Sequence, residues 1–316
     1  MSSSLSFGVP IAKVGTQEGG AVSPPDGPRL DKPRVDPVSF VFLSPAAILL
    51  GGLFIGPVLY AIYLGFTNLQ LIGLHAIHYQ FTGLANVIDL MDDPTFYQSI
   101  WSTLVFVVGS GAVGATLLGL ILAIAMQGSA APARWVGNTF AILAWTLPPS
   151  TIAFVWLATT TQSGIIAMLV GMPNLDLLYQ HAMFFVSLAN AWSFAGLSLI
   201  MFSAALRTIP EDLYEAARLE GASSAQCLMQ ITIPMLKPTI VTVALLMMLQ
   251  TFGNFTIVYL MTGGGPGNDS NILPVYAYLQ GFKFHKLGYS ALLGNVMVLL
   301  SAILGWLFLY FGRTRR

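Results

Sequence analysis

Six long apolar runs divide this chain, at approximately residues 39–66, 99–126, 136–158, 182–206, 239–262 and 288–311. None of them contains Asp, Glu, Lys or Arg. A helix needs about 20 apolar residues to cross the hydrocarbon of a bilayer, and each run exceeds that. Only helices, or closed barrels, satisfy every backbone polar group inside lipid. The pattern therefore predicts an all-α polytopic membrane protein with six transmembrane helices. Pro45 and Pro57 in the first run and Pro148–Pro149 in the third should bend their helices locally. Gly111, Ala115 and Gly119 recur at four-residue spacing in the second run, a small face suited to close helix packing.

The most highly charged stretch between runs lies at 207–237. Pro210 followed by Glu211 and Asp212 reads as a first helical turn, since proline has no N–H to leave unpaired and carboxylates favour the positive end of the helix dipole. That helix is expected from about Glu211 to Glu220. Gly221, free to take a positive φ, then turns the chain. A second short helix follows, with Pro234 expected to end it. The predicted helix–turn–helix carries small faces at Ala216, Ala217 and Ala222. Two readings stand side by side: a docking surface for a partner, or a hairpin that only joins two spans.

Composition supports the membrane assignment, with 55% apolar residues, 8% charged residues and a mean hydropathy of +0.75. Residues 1–37 differ: they hold Ser, Gly and Pro10, Pro24, Pro25, Pro28, Pro33 and Pro37 without apolar periodicity. They are expected to be a disordered tail before a transmembrane domain at 38–316. No apolar core with a cleavage site marks a secretory signal there. The net charge is zero, but its distribution is uneven. With the N-terminus inside, eleven of the 13 Lys and Arg fall on inner segments, and only Lys283 and Lys286 fall outside. The positive-inside rule then puts both termini and the 207–237 loop in the cytoplasm.

Several chemistries find no support in the sequence. There is no Gly-x-x-x-x-Gly-Lys-Ser/Thr, so ATP hydrolysis by that route is not expected of this chain. Gly263–Gly267 lacks the lysine and reads as a flexible outer turn. Cys227 is a lone thiol. His75 and His78 form a His-x-x-His without further ligands at hand, so no metal site is expected. No acid pair lies inside a span, which argues against a proton-driven carrier.

Amides inside the spans are more informative. Asn190 lies in the fourth run beside Trp192, Ser193 and Phe194. Gln250 and Asn254, four residues apart, should share a helix face in the fifth, and Asn295 lies in the sixth. Unpartnered amides in hydrocarbon cost on the order of several kcal/mol, so these must face each other or a wet cavity. Interhelical hydrogen bonding is one reading. The other is a polyhydroxylated ligand, since each amide offers donors and an acceptor.

The loop pattern Glu215–Ala216–Ala217, Gly221, Ile231, Ile233 and Pro234 resembles the EAA loop of ABC-importer permeases. Glu220 and Ile233 stand where the family more often has Asp and Leu. Phe252 to Pro266 resembles the signature of the carbohydrate-importer, maltose-type branch, with Thr256 where many members have Asp. Phe81–Asn86 and Asp93–Phe96 resemble the first outer loop of the same branch. The resemblance implies a six-helix type I ABC importer permease whose cytoplasmic helix–turn–helix couples it to a partner ATPase. It implies coupling through Glu215, Ala216, Ala217, Gly221, Ile231 and Pro234. It also implies substrate contacts by Asn190, Phe194, Leu197, Gln250 and Asn254, with Trp192 and Ser193 adjacent. The chain itself would bind no cofactor; ATP and Mg would sit on the ATPase. Expected partners are a second permease subunit, an ATPase dimer, an extracytoplasmic substrate-binding protein and membrane lipid. The expected cargo is a sugar or oligosaccharide. Glycerol phosphate or a glycerophosphodiester is the alternative, and an ATP-independent secondary carrier a further one.

Overall fold

The computed structural model describes residues 37–312. The expected tail at 1–37 and the C-terminal Arg313, Arg315 and Arg316 lie outside the described residues, apart from Pro37 itself. The chain divides into two compact units, 1–52 and 53–316. In the first, Pro37–Leu50 is an α-helix with Pro45 inside it.

The described residues are helical with no strand; a single antiparallel bridge pairs Thr67 with Phe81. Among the described residues, six segments are long and apolar enough to cross a membrane: Val41–Leu64, Pro94–Gln127, Pro149–Val170, Ala182–Leu206, Ser224–Phe252 and Leu287–Tyr310. Four agree closely with the apolar runs. The third and fifth depart from them, for identifiable reasons.

The third run straddles two helices, Ala131–Thr146 and Pro149–Thr160. Leu147 and Pro148 between them are extended, at ψ 138° and 140°. A residue before proline is pushed out of the α region, and here two such residues follow each other. The expected bend is therefore a break. The fifth helix begins much earlier than its apolar run. The short helix Ser224–Cys227 passes through a wide π-turn at Leu228–Thr232 into Ile233–Phe252. Pro234 does not end the short helix. It sits in the first turn after the π-turn, where the locally widened ladder tolerates a missing N–H.

Apolar packing forms three clusters. Phe106, Ile152, Val186 and Ile257 anchor one around the middle spans. Leu199, Phe202, Leu236 and Met247 anchor a second toward the 211–219 helix. Phe96, Leu273, Tyr276 and Leu293 anchor a third at the opposite end. The small face of the second span packs as its spacing suggests. A Cβ on Gly119 would lie 2.2 Å from Ser198 Cβ, and one on Gly111 would lie 2.5 Å from Thr251 Oγ1. Asn295 Nδ2 donates to Ala61 O at 3.2 Å, an interhelical bond.

Candidate functional site

Two sites emerge, one at an end of the bundle and one at its centre. The end site is the 207–237 hairpin. Its first helix runs Glu211–Leu219 with Glu211 and Asp212 in the first turn. It ends in a Schellman arrangement: Ala222 N–H reaches Ala217 O at 2.9 Å and Gly221 N–H reaches Arg218 O at 3.0 Å. Gly221 takes φ +83°, with open space around it. Ser223 then opens the next helix with a capping box. Its Oγ accepts from Gln226 N–H at 3.3 Å, and Gln226 Oε1 accepts from Ser223 N–H at 2.7 Å. The hydroxyls of Tyr214 and Thr232 lie 2.9 Å apart and tie the two arms. The turn is thus held by backbone, cap and side chain together.

This hairpin turns apolar as well as charged groups outward. Leu219 is 90% exposed and Met229 68% exposed. Glu215 and Ala216 are exposed, and Ala217 is half-buried. Ile231 packs against the cluster around Leu199 and Leu236, while Pro234 is exposed. Glu215 and Arg218 border a hollow of about 880 Å³ that continues to Gln127 and Cys227.

The central site is a hydrogen-bond knot on Asn190, which is fully buried. Its Nδ2 donates to Ser110 Oγ at 2.8 Å and to Thr251 Oγ1 at 3.0 Å. Its Oδ1 accepts from Asn254 Nδ2 at 2.7 Å. One side chain thereby joins the second, fourth and fifth spans. Ser193 Oγ donates to the Asn190 carbonyl at 2.8 Å. Gly111 lets Thr251 approach, as its space could not hold a Cβ. Ser110 and Thr251 were not singled out from the sequence. Their only signal was a hydroxyl residue inside an otherwise apolar run.

The knot sits where the fifth helix breaks. Phe252 ends the helix, Gly253 and Asn254 turn, and Phe255–Thr262 resumes it. Gln250 and Asn254 therefore do not share one helix face. Asn254 turns inward to Asn190 while Gln250 is exposed. Asn254 is half-buried and keeps its Oδ1 and one N–H clear of any bond among the described residues. Trp192 is partly exposed and its ring meets that of Trp156 edge-on at 6.3 Å. Phe194 and Leu197 are half-buried against the cluster around Phe202. Beyond the break, Phe255, Tyr259 and Tyr278 form a ring cluster with centroids 4.8–5.1 Å apart.

The end of the bundle away from the hairpin is tied by residues of the Phe81–Asn86 and Asp93–Phe96 motifs. Asn86 Nδ2 donates to Gly65 O at 2.9 Å and Thr67 O at 2.8 Å. Asp93 caps the Pro94–Leu104 helix through Thr95 N–H at 2.8 Å and accepts from the hydroxyls of Tyr276 and Tyr289. Burial alone would raise the Asp93 carboxyl, but those donors outweigh it and hold it below its usual range. Tyr276 is pushed up to about 12, by burial first and then by its bond to Asp93. Gly263–Gly267 is an ordered turn. Its glycines supply positive φ at 263, 264 and 267, and Ser270 Oγ donates to Gly265 O at 2.6 Å. His75 Nδ1 pairs with the Asn68 amide at 3.2 Å.

These features describe a multi-pass helical membrane protein with a stiff hairpin at one end and a pinned break at its centre. Residues 115–316 match the family described as binding-protein-dependent transport system inner membrane component, and the chain belongs to that family. It is 30% identical to the sulfoquinovosyl glycerol transport system permease protein SmoG of Agrobacterium fabrum, over 88% of this chain and 91% of that one. It is 31% identical to a probable ABC transporter permease of Pyrococcus horikoshii, over 87% and 95%. The arabinooligosaccharides transport system permease protein AraP of Bacillus subtilis is 29% identical over 71% and 73%. A bacterial ABC transporter involved in alginate import shares the fold, with a TM-score of 0.72 at 18% identity, covering 87% of this chain and 95% of its own.

Proposed function

We propose that this chain is one permease half of an ATP-driven importer that carries a sugar or oligosaccharide across the cytoplasmic membrane. Membership of the transport family and the sugar cargoes named for SmoG and AraP support the cargo class. The central amides support it chemically, because the open donor and acceptor of Asn254 match a hydroxyl.

The observation that carries the coupling reading is the stiffness of the 207–237 hairpin together with its exposed Glu215 and Leu219. A mere connector needs neither a Schellman turn nor a capping box, and uncovered large apolar side chains beside a charge mark a contact surface. Lys and Arg distribution puts the hairpin and both termini in the cytoplasm. There an ATPase dimer, carrying ATP and Mg, grips the hairpin of each permease half, with Glu215 bonded in its cleft. The chain itself binds no cofactor and catalyses no reaction. A second permease completes the pathway, and an extracytoplasmic binding protein delivers cargo to the Asp93 end. ATP-driven closure moves the hairpin as a rigid body and rocks the spans between inward- and outward-facing states.

The test is co-purification. The tagged chain, expressed with its chromosomal neighbours, should bring down an ATPase and a second permease. Glu215→Lys should lose the ATPase while remaining inserted. A chain that purifies alone and transports alone in liposomes overturns the reading.

A further inference from the structure

Two adjoining hollows at the hairpin end of the bundle lie apart from the central knot and take only Arg207 from the hairpin. The smaller, of about 160 Å³, lies between the inner ends of the second span, the Ala131–Thr146 helix and the fourth span. Arg134, Arg207, Asn138, Gln127 and Ser203 border it, and no carboxylate does. The other, of about 250 Å³, shares Asn138, Ser203 and Arg207 with it and continues deeper, where Ile142, Leu199 and Ile200 wall it. We propose that this pair of hollows holds an anionic phospholipid of the phosphatidylglycerol class, its headgroup in the smaller and the start of an acyl chain in the deeper.

Three observations converge. First, two guanidinium groups border one small space, and neither makes an ion pair or hydrogen bond to any described side chain. Two like charges facing one space favour an anion there. Arg134 also lies in the first turn of its helix, whose N-cap Ala130 offers no side-chain acceptor, which adds the positive helix end. Glu211 and Glu215 border the larger neighbouring hollow with Arg207, not this one. Second, Asn138 Oδ1 is buried without a donor. A phosphodiester has no donor of its own, but a headgroup hydroxyl has one. Third, the deeper hollow is walled mainly by apolar side chains and adjoins the charged one across Asn138, Ser203 and Arg207. A free phosphate leaves it empty, whereas an acyl chain fills it.

The setting fits. Trp135 and Phe140, on the same helix as Arg134, are 70% and 69% exposed. Tryptophan favours the membrane–water interface, and basic pockets between helices on the cytoplasmic side suit anionic headgroups. Only this placement at the cytoplasmic leaflet rests on the orientation proposed above.

The experiment counts lipid rather than transport, so it stands apart from the identity of the cargo. The complex containing this chain is purified, exchanged into nanodiscs of phosphatidylcholine with or without phosphatidylglycerol, and its retained lipids are counted by native mass spectrometry after release. Retention of phosphatidylglycerol over phosphatidylcholine is expected. Arg134→Gln with Arg207→Gln should weaken it about thirty-fold, at about 1 kcal/mol per basic residue. Arg134→Lys with Arg207→Lys should restore much of it. Ile200→Trp, which fills the deeper hollow and leaves both arginines, should also expel the lipid. Equal retention of the two lipids, or retention unchanged by the glutamine pair, overturns the proposal. So does a loss that the lysine pair does not restore, which would assign the effect to packing. Binding of inorganic phosphate that depends on the arginines and ignores Ile200→Trp would make a free anion the occupant and overturn the lipid.

Discussion

The hairpin at 207–237 and the knot on Asn190 are both polar constructions in an apolar protein, yet they use polarity in opposite ways. The knot turns every group inward: Asn190 is fully buried, and its two N–H groups and its oxygen are all bonded. The hairpin spends Tyr214, Thr232, Ser223 and Gln226 on holding its own turn and leaves others unbonded, with Glu215 and Leu219 facing out. A saturated buried group holds other groups in place. A stiff backbone with unspent side chains presents a surface. By this measure Asn190 is a pin that positions Asn254, and Asn254, with bonding capacity to spare, is the residue proposed to meet cargo.

The sharpest way to break the comparison is at the pin. Asn190→Leu fills similar space but leaves the Asn254 donor and the hydroxyls of Ser110 and Thr251 without their partner. Each buried group left unpaired costs about 1–3 kcal/mol. A fall in the thermal midpoint of the purified complex is expected. Among variants that still assemble, Asn190→Gln and Asn190→Ser should shift the apparent affinity for cargo more than they shift ATPase coupling. If Asn190→Leu leaves both the midpoint and the uptake unchanged, the knot is not a pin.

The hairpin should answer to backbone changes. At φ +83° a Cβ is strained, so Gly221→Ala should cost roughly 1–2 kcal/mol of local order although nothing crowds the position. Gly221→Asn should cost less, because Asn tolerates the left-handed region. Faster hydrogen exchange over 211–227, with the knot region unchanged, is the expected signature in Gly221→Ala. Uniform exchange changes along the chain would contradict a separately built hairpin. A smaller effect, typically about 1 kcal/mol, is expected from Ser223→Ala, which removes half of the capping box. Its exchange should rise only at the start of the 224–227 helix.

The two regions also differ in how readable they were. The hairpin could be read residue by residue, because Pro210–Glu211–Asp212 and Gly221 are local signals acting over a few residues. Only its exit was misjudged: Pro234 stops a regular helix but not one already widened by a π-turn. The six spans were visible as apolar runs. The break at Leu147–Pro148 is legible from Pro148–Pro149 only as a bend, and the one at Gly253–Asn254 not at all, because an apolar run records burial in lipid and not backbone continuity. The knot was half legible. Asn190 and Asn254 are conspicuous amides, but Ser110 and Thr251 are not, since hydroxyls in helices usually bond their own preceding turn. Ser110 does so as well, donating to Phe106 O at 2.5 Å, and its role in the knot uses a lone pair that no sequence pattern reports.

A third polar construction, the Asp93 knot, lies between these extremes and responds to pH. Asp93 is neither saturated in apolar surroundings like Asn190 nor free like Glu215. It accepts from Thr95, Tyr276 and Tyr289 while partly open to water. Its carboxyl is held below its ordinary value. A carboxylate depressed by folding contributes stability that is fully present above its unfolded value, about 3.9, and is lost as pH falls through the lower folded value. Hydrogen exchange in the 273–283 segment should therefore be flat between about pH 5 and 8, after correction for intrinsic rates, and rise below about pH 4. Asp93→Asn can still cap the helix but has no charge to lose. It should raise exchange modestly at neutral pH and abolish the acid-dependent rise, leaving the 211–219 helix as it was. An acid-dependent rise of equal size in Asp93→Asn would place the titrating group elsewhere, and the contrast among the three constructions would then rest on burial alone.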